Sequence, residues 1–242
     1  MRIEIRDLSV AYAGRTVVAG PHLVAAAGQI TGLVGPNGSG KSTLLRTVYR
    51  HLKPTAGRVL LGDRDIQEMP PIQTARHVAA LPQERGSDFE LTVRDVVAMD
   101  RTPHKRAFAG DDAADRRIVA KGGFVQDPEV RVLDEPTNHL DLRHQVELLA
   151  LQRTERRTTL VSLHDLNAAA FVCDRLHVLD GGAVIASGAP REVVTPDLLA
   201  EVFGVRTAVI EHPLTRDPLI AFDHNTPVEK ATAAQTPGHA AT

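Results

Sequence analysis

Gly35-Pro36-Asn37-Gly38-Ser39-Gly40-Lys41-Ser42-Thr43 fits the phosphate-binding pattern G-x-x-x-x-G-K-[ST], and its flanks supply the context that the pattern needs. Gln29 to Val34 reads as a buried strand, and Ser42 to Tyr49 reads as a helix. Glycines at 35, 38 and 40 let the backbone curl without Cβ clashes, so successive N–H groups point inward and form a nest for phosphate oxygens. A helix beginning near Lys41 aims the positive end of its dipole at the same anion. In that setting Lys41 reaches the β- and γ-phosphates, and the Ser42 hydroxyl ligates Mg²⁺. A ligand-free Gly-rich turn explains neither the lysine nor the hydroxyl after it.

Upstream, residues 1 to 34 read as short strands with turns at Ala13-Gly14-Arg15 and Ala27-Gly28, an antiparallel prelude to the loop. Downstream, Arg58 to Leu61 and His77 to Leu81 read as strands. Leu91 to Ile118 is helical in pattern, with Thr92 a cap for Val93 to Met99 and a charged helix from Asp111 to Val119, and reads as an inserted helical subdomain. Alternation then resumes: strand Val130 to Leu133, helix Leu140 to Arg153, strand Thr159 to Leu163, helix Leu166 to Phe171, strand Arg175 to Leu179. Strands alternating with helices imply a largely parallel sheet. Ala183 to Ser187 and Thr207 to Glu211 read as terminal strands around the helix Thr195 to Phe203. The Ala/Thr-rich stretch 226–242 lacks hydrophobic periodicity and is expected to be disordered.

Composition sets outer limits. A chain of 242 residues can bury a substantial core, as one large or two small domains. With 28 basic and 30 acidic residues the net charge is −2, so no electrostatic case favours nucleic acid. The single cysteine, Cys173, excludes an internal disulfide framework or a Cys-rich zinc site and reads as core filler. No run approaches about 18 apolar residues, so any membrane crossing is expected to belong to another subunit.

The second informative stretch is Leu133-Asp134-Glu135-Pro136-Thr137-Asn138-His139-Leu140-Asp141. Two acidic residues at the C-terminal end of a parallel strand sit where open α/β sheets place ligands. Asp134 is assigned to the hydrated Mg²⁺ and Glu135 to the general base that polarises the attacking water. Arg131, inside that strand, must find a carboxylate or leave the strand's start exposed.

Gly35 to Thr43, Gln83 after a strand, Asp134 to Asp141, and His164 at a strand end together resemble the ATP-binding subunit of an ATP-binding cassette (ABC) transporter, over nearly the whole chain to about residue 225. The resemblance implies an α/β fold: a P-loop NTPase core with a mixed, largely parallel sheet, an antiparallel β subdomain and a shortened helical subdomain at about 85–126. It implies ATP and Mg²⁺ as ligands, with Gly35, Pro36, Asn37, Gly38, Ser39, Gly40, Lys41, Ser42 and Thr43 around the phosphates. Gln83 would touch Mg²⁺ and the attacking water, while its loop contacts the membrane subunit. His164 would contact the γ-phosphate, and Asp141 belongs to a loop crossing the dimer interface. Tyr12, 23 positions before Gly35, matches the aromatic on which adenine stacks.

Arg101-Thr102-Pro103-His104, Leu163 to Ala169 and Phe203-Gly204-Val205 resemble importers of iron-siderophore, haem and cobalamin complexes. The implied assembly is a homodimer on the cytoplasmic face of the membrane, bound peripherally to transmembrane permease subunits and served indirectly by a substrate-binding protein.

One family element is missing from the sequence. A Ser-Gly-Gly signature should open a helix before the acidic strand, yet the nearest trace is Lys121-Gly122-Gly123. Only Phe124, Val125 and Gln126 separate it from Asp127-Pro128, too few for a helix of roughly 10 to 14 residues. Gln83 and Asp134 lie only 51 positions apart, and a deletion is the simplest account. Two functions therefore stand side by side: an ATP-hydrolysing importer subunit, and a degenerate cassette that binds ATP without hydrolysing it. A soluble P-loop ATPase acting on nucleic acid is disfavoured by the balanced charge.

Overall fold

The computed structural model describes residues 1–82, 128–138 and 140–227, and elements are numbered here in chain order over those residues. Strands β1 (Ile3–Tyr12), β2 (Arg15–Ala19), β3 (Leu23–Ala25), β5 (Ala56–Leu61) and β6 (Arg64–Asp65) form an antiparallel sheet ordered β2-β1-β5-β6, with β3 paired to β1. β1 to β3 are the antiparallel prelude expected from residues 1 to 34, but β5 and β6, from after the loop, complete the sheet, while β4 (Ile30–Val34) joins a second one.

The second sheet is ordered β11-β10-β4-β9-β8-β7. Its members are β4 (Ile30–Val34), β7 (Val78–Leu81), β8 (Val130–Asp134), β9 (Thr158–Ser162), β10 (Arg175–Asp180) and β11 (Ala183–Gly188). Every pair is parallel except β10 with β11. Side chains alternate across a strand, so each central strand must feed two cores. Leu33, Leu160 and Val132 enter the layer facing the antiparallel sheet, together with Leu44, Leu45 and Val48 of α1 (Lys41–Val48). Val34, Val161 and Leu133 enter the opposite layer, beneath α4 (Leu166–Val172) and α6 (Pro196–Phe203). Cys173 lies buried in that second layer, where burial pushes its thiol pKa up, in keeping with a filler role.

Gly32 in β4 faces α4 so closely that a Cβ there would meet Cys173 Sγ at 2.6 Å. Arg131 is 3% exposed, and its guanidinium pairs with Glu155 and donates to Gln152 Oε1 at 3.4 Å, both on α3 (Leu142–Glu155). Of the two outcomes expected for this arginine, the carboxylate partner is the one found.

Several elements differ from the sequence reading. Residues 71–77 form helix α2 (Pro71–His77), so His77 closes a helix and β7 starts one residue later. Pro190–Val193 is a short helix, α5. β12 (Val205–Glu211) pairs antiparallel with β13 (Pro218–Pro227), so a strand continues two residues past 225, where the sequence suggested a tail. The helical subdomain at 85–126, Gln83 and the rest of the tail lie outside the described residues. No helix among the described residues is long and apolar enough to cross a membrane.

Candidate functional site

β4 ends at Val34 and the chain turns through Gly35 to Gly40 into α1. Gly35 has φ 152°, and a Cβ there would lie 2.0 Å from Leu179 O, so only glycine lets the loop pass this close to β10. Gly40 is the N-cap of α1 at φ 100°, a left-handed conformation that turns the first amides of the helix into the loop. The sequence pattern and the strand–loop–helix geometry therefore agree.

A cavity of about 350 Å³ opens over this loop, lined by Asn37, Gly38, Gly40, Lys41, Ser42 and Thr43, with Val17, Glu135 and His164 facing them. Lys41 is 5% exposed, and its Nζ donates to Gly35 O at 2.8 Å and Pro36 O at 3.0 Å. Burial holds its ammonium below the usual lysine range, opposed by the Glu135 and Asp134 carboxylates. An anion in the cavity relieves that burial cost, as a phosphate would.

The acidic pair arrives from β8, two strands away in the sheet. Ser42 Oγ donates to Asp134 Oδ1 at 3.0 Å, and Ser162 Oγ donates to the same oxygen at 2.7 Å. Asp134 Oδ2 is buried without a hydrogen-bond partner among the described residues, and so is Ser39 Oγ in the loop. A buried orphan carboxylate oxygen beside a serine hydroxyl suits a hard cation that takes oxygen ligands. Ser42 and Asp134 are the groups that could hold one. Among the described residues no cluster of three or more His, Cys, Asp and Glu side chains could do so, and Mg²⁺ needs none when phosphates and water complete its shell.

Glu135 has φ 54°, unusual for a residue with a Cβ. Its Oε1 pairs with His164 Nε2, and its Oε2 accepts from Asn138 Nδ2 at 2.5 Å. His164 follows β9, and the next residue, Asp165, caps α4 by accepting from Asn167 N at 2.8 Å and Ala168 N at 3.1 Å.

Of the residues singled out in the sequence, the structure thus brings Lys41, Ser42, Asp134, Glu135 and His164 together. It does not bring Tyr12 or Asp141 to the cavity lining. Tyr12 ends β1 and is 42% exposed, while Asp141 caps α3 through His144 N at 2.9 Å. Sequence reasoning passed over Val17, Ser162 and Asn138. Asn138 lies within the marked stretch from Leu133 to Asp141 and donates to Glu135 three residues earlier, whereas Ser162 lies two residues before His164 and only the β8·β9 register reveals that it faces Asp134.

A family model described as ABC transporter matches residues 19–123. The chain is 36% identical over 246 residues to a cobalamin import ATP-binding protein of Halobacterium salinarum, a match covering 89% of this chain and 62% of that protein, so it spans less than two thirds of that relative. It is 34% identical over 250 residues to an iron(3+)-hydroxamate import ATP-binding protein of Bacillus subtilis (90% of this chain, 93% of that one). It is 37% identical over 251 residues to a hemin import ATP-binding protein of Pseudomonas aeruginosa (90% and 98%). Among solved structures, an inward-facing metal-chelate type ABC transporter aligns with TM-score 0.75 at 19% identity, over 94% of this chain and 98% of that one, a likeness of fold.

Proposed function

This chain belongs to the ABC transporter family, and we propose that it is an ATP-binding and ATP-hydrolysing subunit of an importer, energising uptake of an iron-siderophore, haem or corrinoid complex. The observation that carries the reading is the convergence of Lys41, Ser42, Glu135 and His164 on one cavity from three separate segments of the chain, with Asp134 bonded to Ser42 at its edge. The cargo class rests on the names of the relatives.

In this reading the Gly35–Gly40 amides and Lys41 bind the phosphates, and Lys41 exchanges its loop carbonyls for phosphate oxygens. Ser42 and Asp134 would hold Mg²⁺, which when bound neutralises charge on the phosphate oxygens. Glu135 takes the proton of the attacking water, and His164, already against its carboxylate, orients that carboxylate and faces the γ-phosphate. Tyr12 stacks on adenine, Gln83 contributes to the cation and water, and Asp141 acts across a homodimer interface. Permease subunits carry the membrane crossing, a substrate-binding protein delivers the cargo, and this chain sits peripherally on the cytoplasmic face.

Steady-state phosphate release from MgATP, with Glu135→Gln as control, tests the proposal. The parent chain is expected to exceed the variant by about 100-fold or more, the usual worth of a positioned general base. Equal rates would remove hydrolysis from its activity.

A second reading, ATP binding without sustained turnover, rests on the absence from the sequence of a Ser-Gly-Gly signature before Asp134. This reading predicts Lys41-dependent ATP binding with no dimer on sedimentation in MgATP, and an ATP-induced dimer contradicts it.

A further inference from the structure

Ser162 is the cross-strand partner of Asp134 in the parallel β8·β9 pair and is fully buried. A carboxylate oxygen only accepts and a backbone N–H only donates, so the proton on Ser162 Oγ is assigned without ambiguity. The hydroxyl donates to Asp134 Oδ1 at 2.7 Å and accepts from Glu135 N–H at 2.9 Å. One side chain thus grips the carboxylate of the first acidic residue and the backbone of the second.

The consequences differ for the two acids. The last torsion of an aspartate is broad, so the Asp134 carboxylate can swing unless both its oxygens are specified. Ser42 and Ser162 together fix Oδ1, which leaves the buried Oδ2 as the free acceptor. Ser42 has a second duty as a proposed cation ligand, whereas Ser162 has none. Glu135 holds a left-handed conformation at φ 54°, and its N–H divides between Ser162 Oγ and Ser162 O at 3.2 Å. Removing the hydroxyl leaves the carbonyl acceptor, so strand pairing survives while the grip is lost.

We infer that Ser162 is a positioning residue that sets Asp134 and Glu135 relative to one another for a divalent cation and the attacking water. The inference rests on the reading of the site given above, since it needs a cation between Ser42, Asp134 and the nucleotide.

The test compares the parent, Ser162→Ala and Ser162→Thr by calorimetric titration with ATP, once in EDTA and once in excess Mg²⁺. In EDTA all three bind ATP alike, which also certifies that the variants fold. The gain in affinity on adding Mg²⁺ falls by about 10- to 100-fold in Ser162→Ala, the usual effect of removing a partner that orients a metal ligand, and returns with the hydroxyl in Ser162→Thr. An undiminished Mg²⁺ gain in Ser162→Ala overturns the inference alone. Equal losses in EDTA and in Mg²⁺ assign Ser162 a merely structural role and also overturn it. A parent chain that gains nothing from Mg²⁺ contradicts the proposed cation site itself, and that failure is visible before any variant is measured.

Discussion

Ser42 Oγ donates to Asp134 Oδ1 at 3.0 Å, tying the first turn of α1 to the end of β8 across 92 positions of sequence. That bond turns a phosphate loop and an acidic strand into one site. Asp134→Asn keeps the size of the side chain and an oxygen that Ser42 and Ser162 can donate to, but removes the charge and puts an NH2 donor where Oδ2 would meet a cation. MgATP affinity is expected to fall to the level measured in EDTA, with ATP binding in EDTA unchanged; isothermal titration of both conditions checks it.

Arg131 puts a cation in the middle of a parallel strand, and Glu155 neutralises it. Glu155→Ala removes the carboxylate that faces this buried charge, and is expected to cost about 1–3 kcal/mol, reduced because Glu155 itself is partly exposed. Adding Arg131→Met should recover most of that loss, since replacing a buried pair by an apolar side chain is often neutral. Urea denaturation of both variants reads the two outcomes.

His177 is buried in β10 with Nδ1 2.6 Å from Ser187 Oγ, and burial, reinforced by Arg175, lowers its pKa to about 4. The unfolded chain takes up this proton near the ordinary histidine value of about 6.5. Stability linked to His177 is therefore intact above that value and drains away as pH falls towards about 4, by a few kcal/mol in all. His177→Gln should flatten this part of the curve, seen as the difference between parent and variant urea midpoints across that pH window.

Gly35→Ala would place a methyl 2.0 Å from Leu179 O and 2.9 Å from Ser39 Oγ. Neither β10 nor the loop can yield cheaply, so the variant is expected to lose about 1–3 kcal/mol of stability and also most of its ATP affinity. Thermal denaturation with a nucleotide titration separates the two losses.

The parallel strands were legible because burial on both faces writes them as short apolar runs, and the loop was legible because each residue type has a separate chemical duty. The misses have different causes. Pro71–His77 and Pro190–Val193 are too short for a helical period to register, and each begins with the proline that a strand-oriented reading treats as a break. Pro218–Pro227 starts and ends on proline and carries Asp223, His224 and Asn225, so its pairing with β12 is decided by the partner strand more than by its own pattern. Ser162 escaped notice because its importance comes from facing Asp134, and register between strands 28 positions apart is not written in either one.

The central claim is that the loop at Gly35 to Thr43 binds ATP through a lysine held ready by its own backbone. Calorimetric titration of MgATP into the parent chain and into Lys41→Ala measures it directly. One nucleotide should bind each parent chain, and the variant should bind at least about tenfold more weakly, since a charged hydrogen bond to phosphate is worth roughly 1.5–3 kcal/mol. A parent chain that binds no ATP, or a variant that binds it equally well, would contradict the account.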